Sequence, residues 1–326
     1  MIKNDIIISA SPMRVSLFGG GTDFKKYWSK YNGSVISLAI NKYAYIILKK
    51  RYGENIYLHW KIRETVSDIK NLKHDLIRES LKKYNLKKGV DIVCLSDISK
   101  IGSGLGSSSA FTASIIKAIL RYKDININKK NLAEHTIDIE NNKLKKPIGI
   151  QDQYISSYGA FRRFFFYKNG IVNVYKYKNK VANQLSKNLY LIPTEKNRKS
   201  ESVLKKQNKN IINNIHYLKE ISNITNKAHN YINKNNFNEL GYLLNEYWEI
   251  KKNLADNVSN NKIDKLYEYC LSTGATGGKI CGAGNGGFLL LYVPNKNKKD
   301  FENSNLQNNY FKILPDFKGT RIIRIL

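Results

Sequence analysis

Alternating apolar and polar positions predict strands at residues 6–10 and 15–18, a β pair at 34–40 and 43–49, and a short strand at 55–60. The period then lengthens. Ile69, Leu72, Leu76 and Leu81 share one face of a helix predicted over residues 68–84. A further alternating run, residues 90–95, leads into Gly102-Ser103-Gly104-Leu105-Gly106-Ser107-Ser108-Ser109-Ala110, and an apolar-periodic segment at 111–120 comes after it. The order is strand, glycine loop, helix. A second helix at 130–144 is ended by Pro147 and Gly149. Residues 159–177 are aromatic and alternate around Lys168-Asn169-Gly170, which predicts a hairpin. No internal repeat is visible.

After about residue 180 the pattern turns helical, at 200–220, 223–235, 237–255 and 262–273. In the third of these, Phe237, Leu240, Leu244, Tyr247 and Leu254 form a stripe that belongs to a core. The chain then passes through Gly277-Gly278-Lys279-Ile280-Cys281-Gly282-Ala283-Gly284-Asn285-Gly286-Gly287-Phe288 into an apolar strand at 289–293. A Lys/Asn-rich loop and a terminal strand at 320–326 complete it. Two mixed α+β halves result, with their boundary near 175–195, and we divide the chain into domains 1–185 and 186–326.

The loop at 102–108 carries the first chemical signal. Glycines let backbone N–H groups approach an anion closely, and a helix N-terminus adds unpaired donors and partial positive charge. The serines add hydroxyls that cap a helix, touch phosphate or ligate a hard cation. A phosphate cradle is the reading. It is not a Walker A loop, because no lysine comes after Gly106. Nor does G-x-G-x-G, about a hundred residues into the chain, fit the dinucleotide fingerprint.

Bulk properties narrow the setting. The 326 residues are 42% hydrophobic, which excludes a disordered chain, and no apolar run is long enough to span a bilayer. The start, Met1-Ile2-Lys3-Asn4-Asp5, lacks the apolar core of a signal peptide, so a cytoplasmic protein is expected. Cys94, Cys270 and Cys281 are scattered without metal spacing and read as reduced, inert thiols. The net charge of +29 is spread along the chain and interleaved with asparagine, as in Asn295-Lys296-Asn297-Lys298-Lys299. It favours anionic small molecules over a nucleic-acid or membrane partner.

Two more glycine clusters flank the loop in the chain: Ser11-Pro12-Met13-Arg14-Val15-Ser16-Leu17-Phe18-Gly19-Gly20-Gly21-Thr22-Asp23-Phe24 and the run at 277–288. Three such clusters in this order resemble the GHMP small-molecule kinases, the family of galacto-, homoserine, mevalonate and phosphomevalonate kinases. The likeness spans about Ile8 to Val293. Within the family it is strongest to sugar kinases acting on an anomeric hydroxyl, heptose kinases in particular. Four features carry this: Gly19-Gly20-Gly21-Thr22-Asp23-Phe24, where galactokinases have Gly-Glu-His-Thr-Asp-Tyr; Asn41-Lys42-Tyr43-Ala44-Tyr45; Ile139-Glu140 followed by Gln151-Asp152-Gln153-Tyr154; and Arg198 ahead of Val203-Leu204-Lys205-Lys206-Gln207.

The resemblance implies a ribosomal protein S5 domain 2-like N-terminal domain and a ferredoxin-like C-terminal domain, with ligands in the cleft between them. It implies ATP on Gly102, Ser103, Gly104, Leu105, Gly106, Ser107 and Ser108, and Mg²⁺ on Ser108 and Glu140. Asp152 is then the base that takes the acceptor's proton, with Arg14 beside it to stabilise charge as the phosphoryl group moves. Gly20, Gly21, Thr22, Asp23, Gln151, Gly284 and Asn285 fall to the substrate, and Arg198 to a substrate phosphate. The expected partners are ATP and a sugar phosphate, a heptose phosphate on the way to nucleotide-activated heptose for surface polysaccharide. An unphosphorylated sugar, as for L-fucokinase or galactokinase, is the alternative; a non-catalytic sugar and nucleotide sensor is a remoter one. The oligomeric state stays open, a dimer included.

There are departures from the family pattern. Ser99-Lys100-Ile101-Gly102 stands where prolines usually open the loop, and Asn285 where glycine is usual, although asparagine tolerates positive φ. Arg162 and Arg163 have no assigned role. His59, His74, His135, His216 and His229 sit in no motif and read as structural.

Overall fold

The computed structural model describes residues 6–98, 102–194, 200–306 and 309–325. Two long strands organise it. β1 (Ile6–Phe18) runs unbroken through Pro12, and after a short helix, α1 (Lys25–Tyr31), β2 (Gly33–Lys50) returns beside it without interruption. Four strands were expected here. The register explains the difference: Pro12 pairs with Tyr43 and Met13 with Ile40, so Asn41 and Lys42 are extra residues bulged out of a continuous ladder. The chain's final strand, on the other side of β1, stops pairing at Ala10, so the missing N–H of Pro12 interrupts no ladder there.

The first half continues with β3 (Ile56–His59), β4 (Arg63–Val66), α2 (Asp75–Lys83), β5 (Val90–Ser96), α3 (Ser107–Tyr122), α4 (Lys129–Ile137), α5 (Gln151–Tyr158), β6 (Phe161–Phe166) and β7 (Val172–Lys176). The second half holds α6 (Asn179–Ser186), β8 (Leu189–Pro193), α7 (Ser200–Lys209), α8 (Ile215–Asn233), α9 (Asn238–Lys252), α10 (Asn261–Ser272), β9 (Gly277–Ile280), β10 (Phe288–Tyr292), α11 (Lys298–Glu302), β11 (Phe311–Lys312) and β12 (Arg321–Ile325). One sheet has the order β12-β1-β2-β5-β3-β4, with β6 and then β7 added along the other end of β2. The second is β11-β8-β10-β9. The last strand thus returns to the first sheet.

Three predicted helices come out differently. The helix expected at 68–84 begins only at Asp75, because His74 caps it by accepting from the Ile77 N–H at 3.5 Å. The one expected at 130–144 is α-helical to Ile137 and then winds as a π turn from Asp138 to Lys143. The segment 200–220 breaks between Lys209 and Ile215. The hairpin at 159–177 forms as expected, closed by the Gly170 N–H on the Tyr167 carbonyl at 2.9 Å. β8, α5 and α6 were not anticipated.

Cores form on both faces of the second sheet. Leu189, Leu191, Phe288, Leu290 and Tyr292 join Leu17, Leu38, Leu218, Leu240 and Leu244 in the central core, which welds the two sheets through α8 and α9. The alternate residues Tyr190, Ile192, Leu289 and Leu291 pack with Trp248, Ile263 and Cys270 on the opposite face. A strand covered on both faces has no polar side, and that is why 288–292 reads as a continuous apolar run. Each fully buried Leu or Ile contributes about 1.5–3 kcal/mol, so this weld holds the cleft between the halves in one geometry.

Candidate active site

The glycine loop ends at the N-terminus of α3, whose cap, Gly106, is left-handed at φ 74°. The loop is held from two sides. Gly104 is also left-handed, at φ 78°, and a Cβ there would lie 2.3 Å from the Cys281 carbonyl oxygen, so only glycine lets the two glycine-rich segments touch. Arg14, on β1, gives its backbone N–H to the Leu105 carbonyl at 2.9 Å and its Nη1 to the Gly104 carbonyl. Ser107, Ser108 and Ser109, the first turn of α3, line the cleft, and the first N–H groups of a helix have no partner within it, as an anion site requires.

Arg14 also grips Asp152. Its Nε donates to Oδ1 at 2.8 Å and its Nη2 to Oδ2 at 2.6 Å, a bidentate pair between β1 and the first turn of α5. The pair abuts the loop: a Cβ on Gly106 would lie 3.2 Å from Arg14 Cγ and 3.3 Å from Asp152 Oδ2. The three parts therefore share one spot.

Asp23 lies nearby and is buried. Its Oδ1 accepts from the Gly21 N–H at 3.0 Å and its Oδ2 from the Gln151 N–H at 3.3 Å. Burial pushes its pKa up from the usual 3.8, the Asp152 charge adds to this, and the two N–H donors partly offset it. Gly149 makes room for it, since a Cβ there would fall 1.9 Å from Asp23 Oδ2. Around Gly20 a ring of polar atoms closes in. A Cβ there would stand 3.3 Å from the Tyr247 hydroxyl and 3.7 Å from both Gln151 Nε2 and Ser16 Oγ. The Tyr247 hydroxyl donates to the Gly20 carbonyl at 3.1 Å, while Ser16 Oγ is buried without a partner among the described residues.

Glu140 projects from the π turn toward the start of α3. Its Oε1 accepts from Ser108 Oγ at 2.7 Å, and its Oε2 from Ser109 Oγ at 2.6 Å and Gln153 Nε2 at 2.8 Å. It is fully buried, which raises its pKa; the serine hydroxyls, Lys146 and Gln153 oppose that rise. A π turn inserts one residue into the helix and re-aims the side chains of its final turn, a device common at functional sites. A serine hydroxyl and a carboxylate oxygen, both hard and adjacent at the phosphate end, suit a magnesium ion that takes its remaining ligands from phosphate and water.

Apart from Glu140, which is fully buried and meets the site through Ser108 and Ser109, these groups line one cleft of about 1360 Å³. Gly102, Ser103, Gly104, Gly106, Ser107, Ser108, Arg14, Asp152, Gly20, Gly21, Asp23 and Gln151 all face it. Leu105 and Thr22 do not: Leu105 is core, and the Thr22 hydroxyl donates to the Gly19 and Ser34 carbonyls, which fixes the turn. From the third cluster the cleft meets Lys279, Gly282 and Ala283. Gly284 packs on Val258, and Asn285, at φ 61°, gives its N–H to the Val258 carbonyl at 2.6 Å. Arg198 and the loop entry Ser99-Lys100-Ile101 lie outside the described residues. Arg162 and Arg163 are tied elsewhere, to the Gly159 carbonyl and to Ser34 Oγ, each at 2.7 Å. Cys94 reaches the wall of the cleft, but burial pushes its thiol up to about 12, which leaves it inert.

Several lining residues have no role that the sequence assigns. Lys279, Tyr247, Ser16, Lys146, Trp60 and His74 face the cleft. Tyr247 reads as core in the sequence, and it is both: buried in the stripe of α9, with its hydroxyl at the site. Trp60 stacks edge-on against His74 at 4.7 Å between centroids, and Leu95 and Phe111 also line the cleft. The one available signal was Lys279, a cation inside an otherwise glycine and apolar strand.

Comparison with known proteins places the chain in a class. Residues 71–160 match the GHMP kinases N-terminal domain and residues 228–312 the GHMP kinases C-terminal domain, together more than half of the chain. The chain belongs to the GHMP kinase family and has its two-domain fold of mixed helices and sheets; it is a kinase. Among relatives, it is 28% identical over 306 residues to the D-glycero-alpha-D-manno-heptose 7-phosphate kinase of Campylobacter jejuni, covering 88% of this chain and 89% of that one. It is 27% identical to the mevalonate kinase of Methanothermobacter thermautotrophicus, over 68% of this chain and 70% of that one. In fold it is similar to the crystal structure of a D-glycero-D-manno-heptose 1-phosphate kinase from Bacteriodes thetaiotaomicron, with a TM-score of 0.79, 23% identity and coverage of 98% and 99%.

Proposed function

We propose that the protein is an ATP-dependent sugar kinase that phosphorylates an anomeric hydroxyl, with D-glycero-α-D-manno-heptose 7-phosphate as acceptor and the 1,7-bisphosphate as product. The product would lead to nucleotide-activated heptose for surface polysaccharide. The observation that carries this reading is the Arg14–Asp152 pair, fixed bidentately at the mouth of the glycine loop and in the same cleft as Asp23. Phosphoryl transfer needs a donor held in place, an acceptor hydroxyl that loses its proton, and cations about the moving charge.

Each requirement has residues for it. The N–H groups of the loop and of α3 hold the nucleotide's phosphates, and Trp60, Leu95 and Phe111 offer its base an apolar wall. Ser108 and Glu140 hold Mg²⁺, which when bound neutralises phosphate charge. Asp23 and Gln151 orient the acceptor's hydroxyls, Asp152 takes the proton from the reacting one, and Arg14 keeps Asp152 in place. Arg14, Lys61 and Lys146 give the cleft the positive field that anionic substrates need. Similarity to the Campylobacter jejuni enzyme over most of both chains supports the choice of sugar.

We assign the bulk of the chain to domains 1–185 and 186–326, with β12 lent back to the first. Three free cysteines suit a reducing cytoplasm, and no helix among the described residues is long and apolar enough to cross a membrane. The test is a panel of acceptors with ATP and Mg²⁺: D-glycero-D-manno-heptose with and without its 7-phosphate, L-fucose, galactose and mevalonate. Turnover should be highest on the heptose phosphate. Higher kcat/KM on mevalonate, or turnover on none, refutes the proposal.

A further inference from the structure

β9 is four residues long and every position in it is buried, Lys279 included. The Lys279 ammonium lies 4.5 Å from the centroid of the Tyr247 ring. Among the described residues no carboxylate or carbonyl oxygen receives it, although it faces the cleft. The contrast with Lys251, four residues after Tyr247 on α9, is informative. That lysine is also buried, and its Nζ donates to the Ile280 and Gly282 carbonyls, at 2.7 Å each. The fold satisfies one buried lysine here and leaves the next open to the cleft. An unpaired buried cation is costly unless something enters to pair with it.

Its position says which ligand. Lys279 rests on Tyr247, whose hydroxyl holds the Gly20 carbonyl, and Gly20 is ringed by Ser16 Oγ and Gln151 Nε2. Ser16 Oγ has no partner among the described residues, and the Gln151 side chain is held only through its Oε1, by Ser37 Oγ at 3.1 Å. Beside Asp23 they form a floor for a hydroxylated body, with one full positive charge at its edge. The glycine loop abuts the end of β9 at Cys281, against Gly104, and meets Arg14 and Asp152 at Gly106.

We infer that Lys279 is the residue that selects an anionic acceptor: its ammonium donates to a phosphate oxygen of the sugar while Ser16 and Gln151 take hydroxyls. This rests on the reading of the acceptor as a sugar phosphate. Burial, and to a lesser degree the Arg14 charge, draws the Lys279 pKa down to about 8, so the side chain still carries its charge at neutral pH.

The experiment compares wild type, Lys279→Met and Lys279→Gln on D-glycero-D-manno-heptose 7-phosphate and on D-glycero-D-manno-heptose. Wild type should prefer the phosphate. Losing a charge-assisted contact should raise KM for the phosphorylated sugar about ten- to a hundredfold in both variants. KM for ATP and kcat/KM on the neutral sugar should stay within about twofold of wild type, so the preference collapses. Equilibrium binding of the heptose phosphate without nucleotide should weaken equally. Lys279→Met should melt no lower than wild type, because it replaces an unpaired buried cation by an apolar side chain of similar length. An intact preference in the folded variants overturns the assignment of Lys279 alone. So does a rise confined to KM for ATP, and so does a wild type indifferent to the phosphate. Wild-type inactivity on both sugars overturns the proposed function with it.

Discussion

Replacing Asp152 by Asn tests the chemistry most directly. In the native site each carboxylate oxygen accepts one hydrogen bond from Arg14, at 2.8 and 2.6 Å. The amide keeps one acceptor and turns an NH₂ toward a guanidinium N–H, so one charge-assisted bond is lost. That costs about 1.5–3 kcal/mol, at the low end here because the Asp152 side chain is 22% exposed. The larger effect should fall on turnover. An amide cannot take the acceptor's proton, and loss of a positioned base lowers kcat at least about a hundredfold, about 2.7 kcal/mol of barrier. ADP release under saturating substrates gives kcat, and calorimetric titration with ATP gives nucleotide affinity, which should stay near wild type. Arg14→Met alone should also depress kcat, and the double variant should be far less than additively impaired, since the two act as one unit. Turnover of the Asp152→Asn enzyme within about tenfold of wild type would refute the base assignment and leave positioning by Arg14 as the explanation.

The same geometry sets three further outcomes. Glu140→Gln removes one of two protein ligands assigned to Mg²⁺ and should move the activity-against-Mg²⁺ curve to higher concentration; an unchanged curve would reduce Glu140 to a structural anchor for Ser108 and Ser109. Gly149→Ala would set a methyl 1.9 Å from Asp23 Oδ2, so the carboxylate must leave its place; KM for the sugar should rise about tenfold or more and KM for ATP should not. The Asp23 carboxyl has a folded-state pKa raised above 3.8, so its contribution to stability is full below that value and is lost as pH rises through the higher folded one. Thermal denaturation of Asp23→Asn relative to wild type, from about pH 4 to about pH 7, should therefore shift in favour of the variant as pH rises, and a constant difference would contradict this.

What the sequence determined by itself was local. Gly104 and Gly106 need left-handed backbone where a loop meets a helix, and that demand is visible in the residues that carry it. The order of the three glycine clusters was legible too, and it was the resemblance they carry to a kinase family that pointed to Arg14, Asp23, Glu140 and Asp152. Tertiary structure decided the rest. The continuity of β1 and β2 depends on a bulge at Asn41 and Lys42, set by pairing with Pro12 and Met13 rather than by their own propensities. β8 showed no alternation because both of its faces are covered, by elements from distant parts of the chain. The π turn that aims Glu140 at Ser108 looks like ordinary helix in sequence. Tyr247 and Lys279 become site residues only because α9 and β9 fold against Gly20, more than two hundred positions earlier in the chain. Backbone requirements are written residue by residue, whereas a side chain's partner is chosen by which surfaces the collapse of the core presses together.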